Sequence, residues 1–350
     1  MRTMPFWIYV VLLLQPFVGS GQDQHFSQFY ASALTLNPAL SGAFDGGYRL
    51  STVYRDQGRG ILGSPYATFS GAVDLRFAAQ GTGKSSKDAF GAGVIFYSDR
   101  SADINFYTNQ IALAGAFHKS LSRKGDHFLS AGFQVGISQR NINYENITFN
   151  DQFHIRDGYV YGTQEVLPEN NFAIVDMATG IHYAYAPKRQ PGIYAGFSSY
   201  HLLEPNFSFY REAASGEAVE KLHRKYSAHA GLLLPLNNFL QFSPRALVYM
   251  QGPHLAANAG ANLRMLVNDT KGYALHVGGW LRPVKNSDQN FALDAAVALF
   301  GIEYSNFLIG MSYDLGLSSL NTSGRRNAAF EISIAFLGNY SNETILCPKF

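Results

Sequence analysis

Ten histidines are spread along the 350-residue chain, and histidine is the side chain best suited to proton transfer and metal ligation near neutral pH. His118, His182, His229 and His276 stand in strand-like stretches beside small residues. Ser227 and His229 are the nearest approach to a nucleophile and its base, because two residues apart on a strand they share one face. No third group that would orient the histidine is evident. The H-E-x-x-H, G-x-S-x-G, paired-cysteine and G-x-x-x-x-G-K-[ST] patterns do not occur. Asp99, Arg100 and Asp103 cluster at a turn and suit either Ca²⁺ or plain solvation. Cys347 is the sole cysteine, so neither an internal disulfide nor a Cys/His cluster can form. The expectation is no catalytic, metal or cofactor-binding site, with the histidines lining a polar interior.

Composition describes the elements that hold these side chains. Aromatic residues make up 14% of the chain and charged residues only 15%, against about 25% charged in a typical soluble domain. Mean hydropathy is close to zero, and beyond residue 18 no run approaches the ~20 apolar residues of a helical span. A helical membrane protein is thereby excluded. Few charges with many Tyr, Phe and Gly suit strands that show lipid one face and water the other; a large soluble β-sandwich is the competing reading. A net charge of +2 argues against nucleic acid, which needs a concentrated basic patch.

The first residues read as an address. Arg2 precedes the apolar run Phe6 to Leu14, Pro16 breaks any helix, and Gly19, Ser20 and Gly21 are small. Residues 1–21 are expected to be a signal peptide cleaved after Gly21, with cleavage after Ser20 as the alternative. Residues 22–45 lack sustained alternation and carry turn signals at Asn37-Pro38 and Ser41-Gly42. They are expected to be an irregular leader packing inside or under the strands of the later chain.

From Gly46 the period becomes two, the mark of strands. Phe69, Val73, Leu75 and Phe77 alternate with Thr68, Ser70, Ala72 and Asp74; Phe307, Ile309, Met311 and Tyr313 with Leu308, Gly310, Ser312 and Asp314. Phe330, Ile332, Ile334 and Phe336 oppose Glu331 and Ser333, and Leu293, Ala295, Val297 and Leu299 oppose Asp294, Ala296 and Ala298. The second face is too small and polar for a packed core, and suits a lumen holding water or a plug. About 14 such segments run from residue 46 to 338. The fold class is all-β: a transmembrane antiparallel up-and-down β-barrel over 46–338, with residues 339–350 as a periplasmic tail. The longest connections, near 140–171 and 202–223, alternate with short turns, as outer loops alternate with periplasmic turns in bacterial barrels. Both termini are then expected in the periplasm. Tyr54, Tyr97, Tyr107, Tyr200, Tyr249, Tyr273, Tyr304 and Tyr313 near strand ends suit interfacial girdles or ordinary strand propensity.

The opening Gln22-Asp23-Gln24-His25-Phe26-Ser27-Gln28-Phe29-Tyr30, followed by Leu36-Asn37-Pro38-Ala39-Leu40-Ser41-Gly42, resembles that of the PorP/SprF family, outer-membrane proteins tied to type IX secretion and gliding motility. The family's Tyr-Arg-x-Gln element appears as Tyr54-Arg55-Asp56-Gln57, with Gly58 where Trp often follows. Its Ser-x-His-Leu-x-x-Pro-Asn element appears as Ser199-Tyr200-His201-Leu202-Leu203-Glu204-Pro205-Asn206, and its ending as Cys347-Pro348-Lys349-Phe350. The resemblance implies a non-enzymatic barrel that partners a large secreted surface adhesin or docks the periplasmic ring complex. Asn37, Pro38, Arg55, Gln57, His201, Pro205, Asn206, Cys347, Pro348 and Phe350 become candidate structural or partner residues. Asn37 and Pro38 are expected to seat the leader, and Arg55 and Gln57 to satisfy polar groups in the lumen. The alternative function is a passive channel or hydrophobic-solute transporter. Lipid is the expected surroundings, no cofactor is expected, and the client is not identified by the sequence.

Overall fold

The computed structural model describes residues 23, 25–60, 64–79, 87–101, 105–187, 190–209, 221–268, 272–285, 291–317 and 327–338. The expected signal peptide, Asp103, and Cys347, Pro348 and Phe350 lie outside them.

The wall begins with β1 (Tyr48–Gln57), β2 (Tyr66–Ala78), β3 (Ala89–Ser101), β4 (Phe106–Ser120) and β5 (His127–Ile142). A small hairpin, β6 (Phe153–His154) and β7 (Gly158–Tyr159), interrupts the next connection. The wall resumes with β8 (Asn171–Tyr185), β9 (Gly192–Tyr200), β10 (Lys225–Pro235), β11 (Leu240–Gln251) and β12 (His254–Asn268). It ends with β13 (Tyr273–Lys285), β14 (Phe291–Tyr304), β15 (Phe307–Gly316) and β16 (Ala328–Gly338). Except for β6 and β7, each strand pairs with its wall neighbour in sequence, and β16 returns to β1, closing a 14-stranded barrel. The closing pair runs antiparallel from Tyr48↔Gly338 to Gln57↔Ala329. Closure leaves no unpaired edge, which strands crossing lipid require. Among the described residues no helix is long and apolar enough to cross a membrane.

Alternation decides which side chain meets which solvent. In β2, Phe69, Val73, Leu75 and Phe77 point outward while Thr68, Ser70, Ala72 and Asp74 are buried inward. In β15 and β16, Ile309, Met311, Tyr313, Phe330 and Ile334 face out, and Ser312, Asp314, Glu331 and Ser333 face in. β14 departs from the expected pattern. Pro283 of β13 has no N–H to give the ladder, and there Leu293 pairs with Pro283 but Ala295 with Arg282, leaving Asp294 as an extra residue. The bulge flips the phase: Leu293 stays outward, whereas Ala295, Val297 and Leu299 turn into the lumen and are buried. The tyrosines divide too. Tyr54, Tyr273, Tyr304 and Tyr313 are exposed outward, but Tyr200 and Tyr249 are buried inside and Tyr97 packs against Phe26.

The lumen is occupied by residues 25–45, nearly all of them buried. A short helix, α1 (Ala33–Leu36), precedes a 3-10 turn over Pro38–Leu40, where the Asn37 side chain accepts from Ala39 N–H. Leu34 fills a hollow made by Ala72, Ile95, Ala112 and Ala114. Tyr30 packs against Trp280, Val297 and Leu299, and Phe29, Leu36 and Leu40 against Leu247 and Tyr249. The small wall residues thus make room for large leader residues, each gaining roughly 2 kcal/mol on burial.

This segment crosses the whole lumen. Asp23 bonds Gln251, His201 and Lys225 at the mouth where residues 143–170, 201–209 and 221–224 lie, while Gly47 N–H bonds Gly338 at the short-turn mouth. The described ends, Asp23 and Gly338, therefore lie at opposite mouths. The leader threads the barrel before β1 begins.

Candidate functional site

The strongest feature of the lumen is a set of buried charges that hold the leader. Glu331 of β16 accepts from Ser27 N–H (2.6 Å) and Gln28 N–H (2.8 Å) and pairs with Arg55 of β1. Asp314 of β15 accepts from Arg55 and Arg282, at 3.0 Å each, and from Ser27 Oγ (2.6 Å). Gln57 completes the group by accepting from Arg55 Nε (3.2 Å) and Nη2 (3.0 Å). Nearer the short-turn mouth, Arg49 forks onto Asp74 (2.9 and 2.8 Å), whose Oδ2 also accepts from Gly42 N–H (2.8 Å). Buried charges are stable when paired and hydrogen-bonded, and here leader backbone supplies part of that bonding.

Residues 37–42 press directly on strand backbone. Asn37 Nδ2 donates to the carbonyls of Ile181 (2.9 Å) and Phe197 (3.3 Å), and His118 Nε2 meets Ser41 O at 2.8 Å. A Cβ on Gly91 would stand 1.8 Å from Ser41 O, one on Gly132 2.4 Å from Ala39 N, and one on Gly180 2.0 Å from Asn37 Oδ1. These glycines of β3, β5 and β8 form a seat that only a bare backbone can make.

At the loop-rich mouth the leader ends in a polar latch. His201 offers Nδ1 to Asp176 (2.6 Å) and Nε2 to Asp23 (2.8 Å), and Lys225 reaches Asp23 at 2.9 Å. Burial works against the His201 charge, but the two carboxylates prevail and raise it to about 9. Burial likewise opposes the Asp23 charge, and Lys225 and His201 hold its carboxyl well below the usual range. The latch residues help line a vestibule of about 300 Å³, bounded also by other leader residues, the inner faces of β3 to β5 and β8, and the segment after β9.

Residues 18–336 match the family described as type IX secretion system membrane protein PorP/SprF. The chain belongs to the PorP/SprF family. With an apolar outer belt on a closed barrel, it is an outer-membrane β-barrel of that secretion system's membrane proteins. Among solved structures it is similar to the Pseudomonas putida toluene transporter TodX, at 13% identity and TM-score 0.49 over 92% of this chain and 96% of that one. It is also similar to a Pseudomonas aeruginosa FadL homologue, at 13% identity and TM-score 0.47 over 87% and 94%. The Ralstonia pickettii toluene transporter TbuX gives 13% and 0.44 over 91% and 96%. These likenesses concern the barrel shape alone. No protein of curated function matches the sequence.

The PorP/SprF motif residues fall into separate places. Asn37 and Pro38 lie in the glycine seat, Arg55 and Gln57 in the charge network, and His201 in the latch. Pro205 and Asn206 follow outside the wall, where Leu222 N–H bonds Pro205 O (3.0 Å) and Asn206 bridges Lys221. The leader is what joins the first three groups. Of the residues weighed for catalysis, Ser227 and His229 both face the interior, but His229 Nε2 meets His182 Nδ1 at 3.2 Å. Asp99 accepts from Thr68 (2.6 Å) and Arg100 lies over the Tyr107 ring. Among the described residues no group of three or more His, Cys, Asp or Glu is placed to hold a metal. Motif reading passed over Glu331, Asp314, Asp74 and the seat glycines. Acidic residues on the inward face of lipid-crossing strands were the available signal, since such charges demand partners.

Proposed function

We propose that this barrel is a non-enzymatic docking component of the type IX secretion and gliding machinery, partnering a large secreted surface adhesin or the periplasmic ring complex. One observation carries the reading: the lumen is filled by residues 25–45, held by buried ion pairs and backbone contacts. A barrel so plugged works through its mouths and loops. In this reading residues 1–21 are removed on export, 22–45 are the plug, and the short-turn mouth faces the periplasm. Residues 339–350, with Cys347, Pro348 and Phe350, then form a periplasmic tail, and the long connections face outward with the Asp23 end. The connection that carries β6 and β7 exposes Ile155 (94%), Val166 (87%), Tyr159 and Tyr161, and exposed apolar side chains can mark a protein contact.

Crosslinkers placed separately at Ile155, at Leu203 and at Cys347 test this. Capture of a secretion component or a surface adhesin from one of these faces is expected, with no solute flux through the purified protein in liposomes. The vestibule favours the second reading, a hydrophobic-solute channel. That reading requires flux in liposomes, and flux together with empty crosslinks would replace the first.

A further inference from the structure

We infer that the vestibule is a binding site for an organic carboxylate, with Arg140 as the anion-holding group. This rests on the geometry of the mouth and is independent of the docking role.

Asp23, Asp176, His201 and Lys225 around the vestibule pair with one another, whereas Arg140 and Asp99 have no ionic partner among the described residues. Asp23 is shared by Lys225 and His201, and Asp176 is held by His201. Asp99 accepts from the Thr68 hydroxyl, and its backbone lies across Thr108 from that of Arg140, about 10 Å apart at the usual strand spacing. Arg140 has no carboxylate partner among the described residues. Its Nη1 donates to Phe207 O (2.6 Å), and its Nε is buried without a partner among them. The guanidinium lies over the rings of Phe207 at 3.6 Å and Phe106 at 4.8 Å, with Phe209 at 6.0 Å. The aromatic clamp fixes the plane of the fork without neutralising it.

The cavity supplies the rest of the ligand's chemistry. Phe26, Phe29, Leu36, Ile95, Ile174 and Leu247 give it apolar walls. Gln134 Oε1, Asp176 Oδ1, His25 Nε2 and the Tyr249 hydroxyl, on residues that line the same space, are buried and unpartnered among the described residues. Such groups call for water or ligand. A planar fork with one charge to satisfy suits a singly charged carboxylate. Apolar walls with scattered polar atoms suit a partly apolar body behind it. That chemistry comes either as a free amphiphilic acid or as the carboxylate of a polypeptide.

The test is calorimetric binding to the full chain purified in detergent micelles. The probes are phenylbutyrate against phenylbutanol, and the peptide Gly-Ser-Gly-Phe against its C-terminal amide. At least one carboxylate is expected to bind, with its neutral counterpart and Arg140→Gln each weakening binding about tenfold or more. Arg140→Lys, which keeps the charge but not the fork, falls between. Binding of phenylbutyrate points to a free acid, and binding of the peptide alone to a polypeptide source. Retention of the folded gel species checks each variant, and the neutral probes test the unaltered protein should a variant not fold. The inference is overturned if neither carboxylate binds, or if binding ignores either the probe's charge or the loss of Arg140 in a folded variant.

Discussion

Glu331 ties β16, β1 and the leader together through one carboxylate, which accepts from two successive leader N–H groups and pairs with Arg55. Glu331→Gln leaves Arg55 short of one buried partner, and such losses cost about 3 kcal/mol or more. A clear fall in the urea midpoint of the detergent-solubilised barrel is expected. Asp56→Asn, which disrupts the solvent-facing pair with Arg59, should leave the midpoint unchanged. Equal effects from the two variants would mean that the lumen network does not hold the protein together. At this scale Arg55 was legible, since an arginine inside an alternating strand needs an internal partner. Its acids were not, because Glu331 and Asp314 lie more than 250 positions away and nothing local to Arg55 points to them.

Elements add two further expectations, one for the seat and one for the latch. Gly91→Ala sets a Cβ against Ser41 backbone, whereas in Gly115→Ala the nearest atom is 3.9 Å away. The first should displace residues 38–42, lower the unfolding temperature and open the leader to protease near Leu40. The second should do none of this. For the latch, His201 is raised to about 9 from an ordinary value near 6.5. A raised pKa on folding means the contribution is complete below the ordinary value and is lost as pH climbs through about 9. The stability advantage of the unaltered protein over His201→Gln should therefore be full near pH 6 and fade through pH 9; an advantage that grew with pH would reverse the assignment. The outward faces of β2, β15 and β16 were readable because lipid imposes one apolar rule on every strand. The inward faces were less so. A bulge at Pro283 turned Val297 and Leu299 inward, and Gly91, Gly132 and Gly180 admit the leader.

At the scale of the molecule, the strand alternation and the parity of loop lengths point to a barrel, and closure of β1 on β16 completes it. The segment that fills that barrel occupies what would otherwise be an open lumen. Residues 25–45 have no period of their own, so only the shape of the wall gives them a conformation. The Ser32 and Ser70 hydroxyls stand 3.1 Å apart, one on the leader and one on β2. Replacing both with cysteine, in a chain carrying Cys347→Ser, measures directly whether the leader occupies the lumen. Oxidation of cells before lysis should convert nearly all the protein to a form with an internal disulfide, visible as a reductant-sensitive shift on a gel. Two cysteines that stay free under those conditions would contradict the plugged barrel.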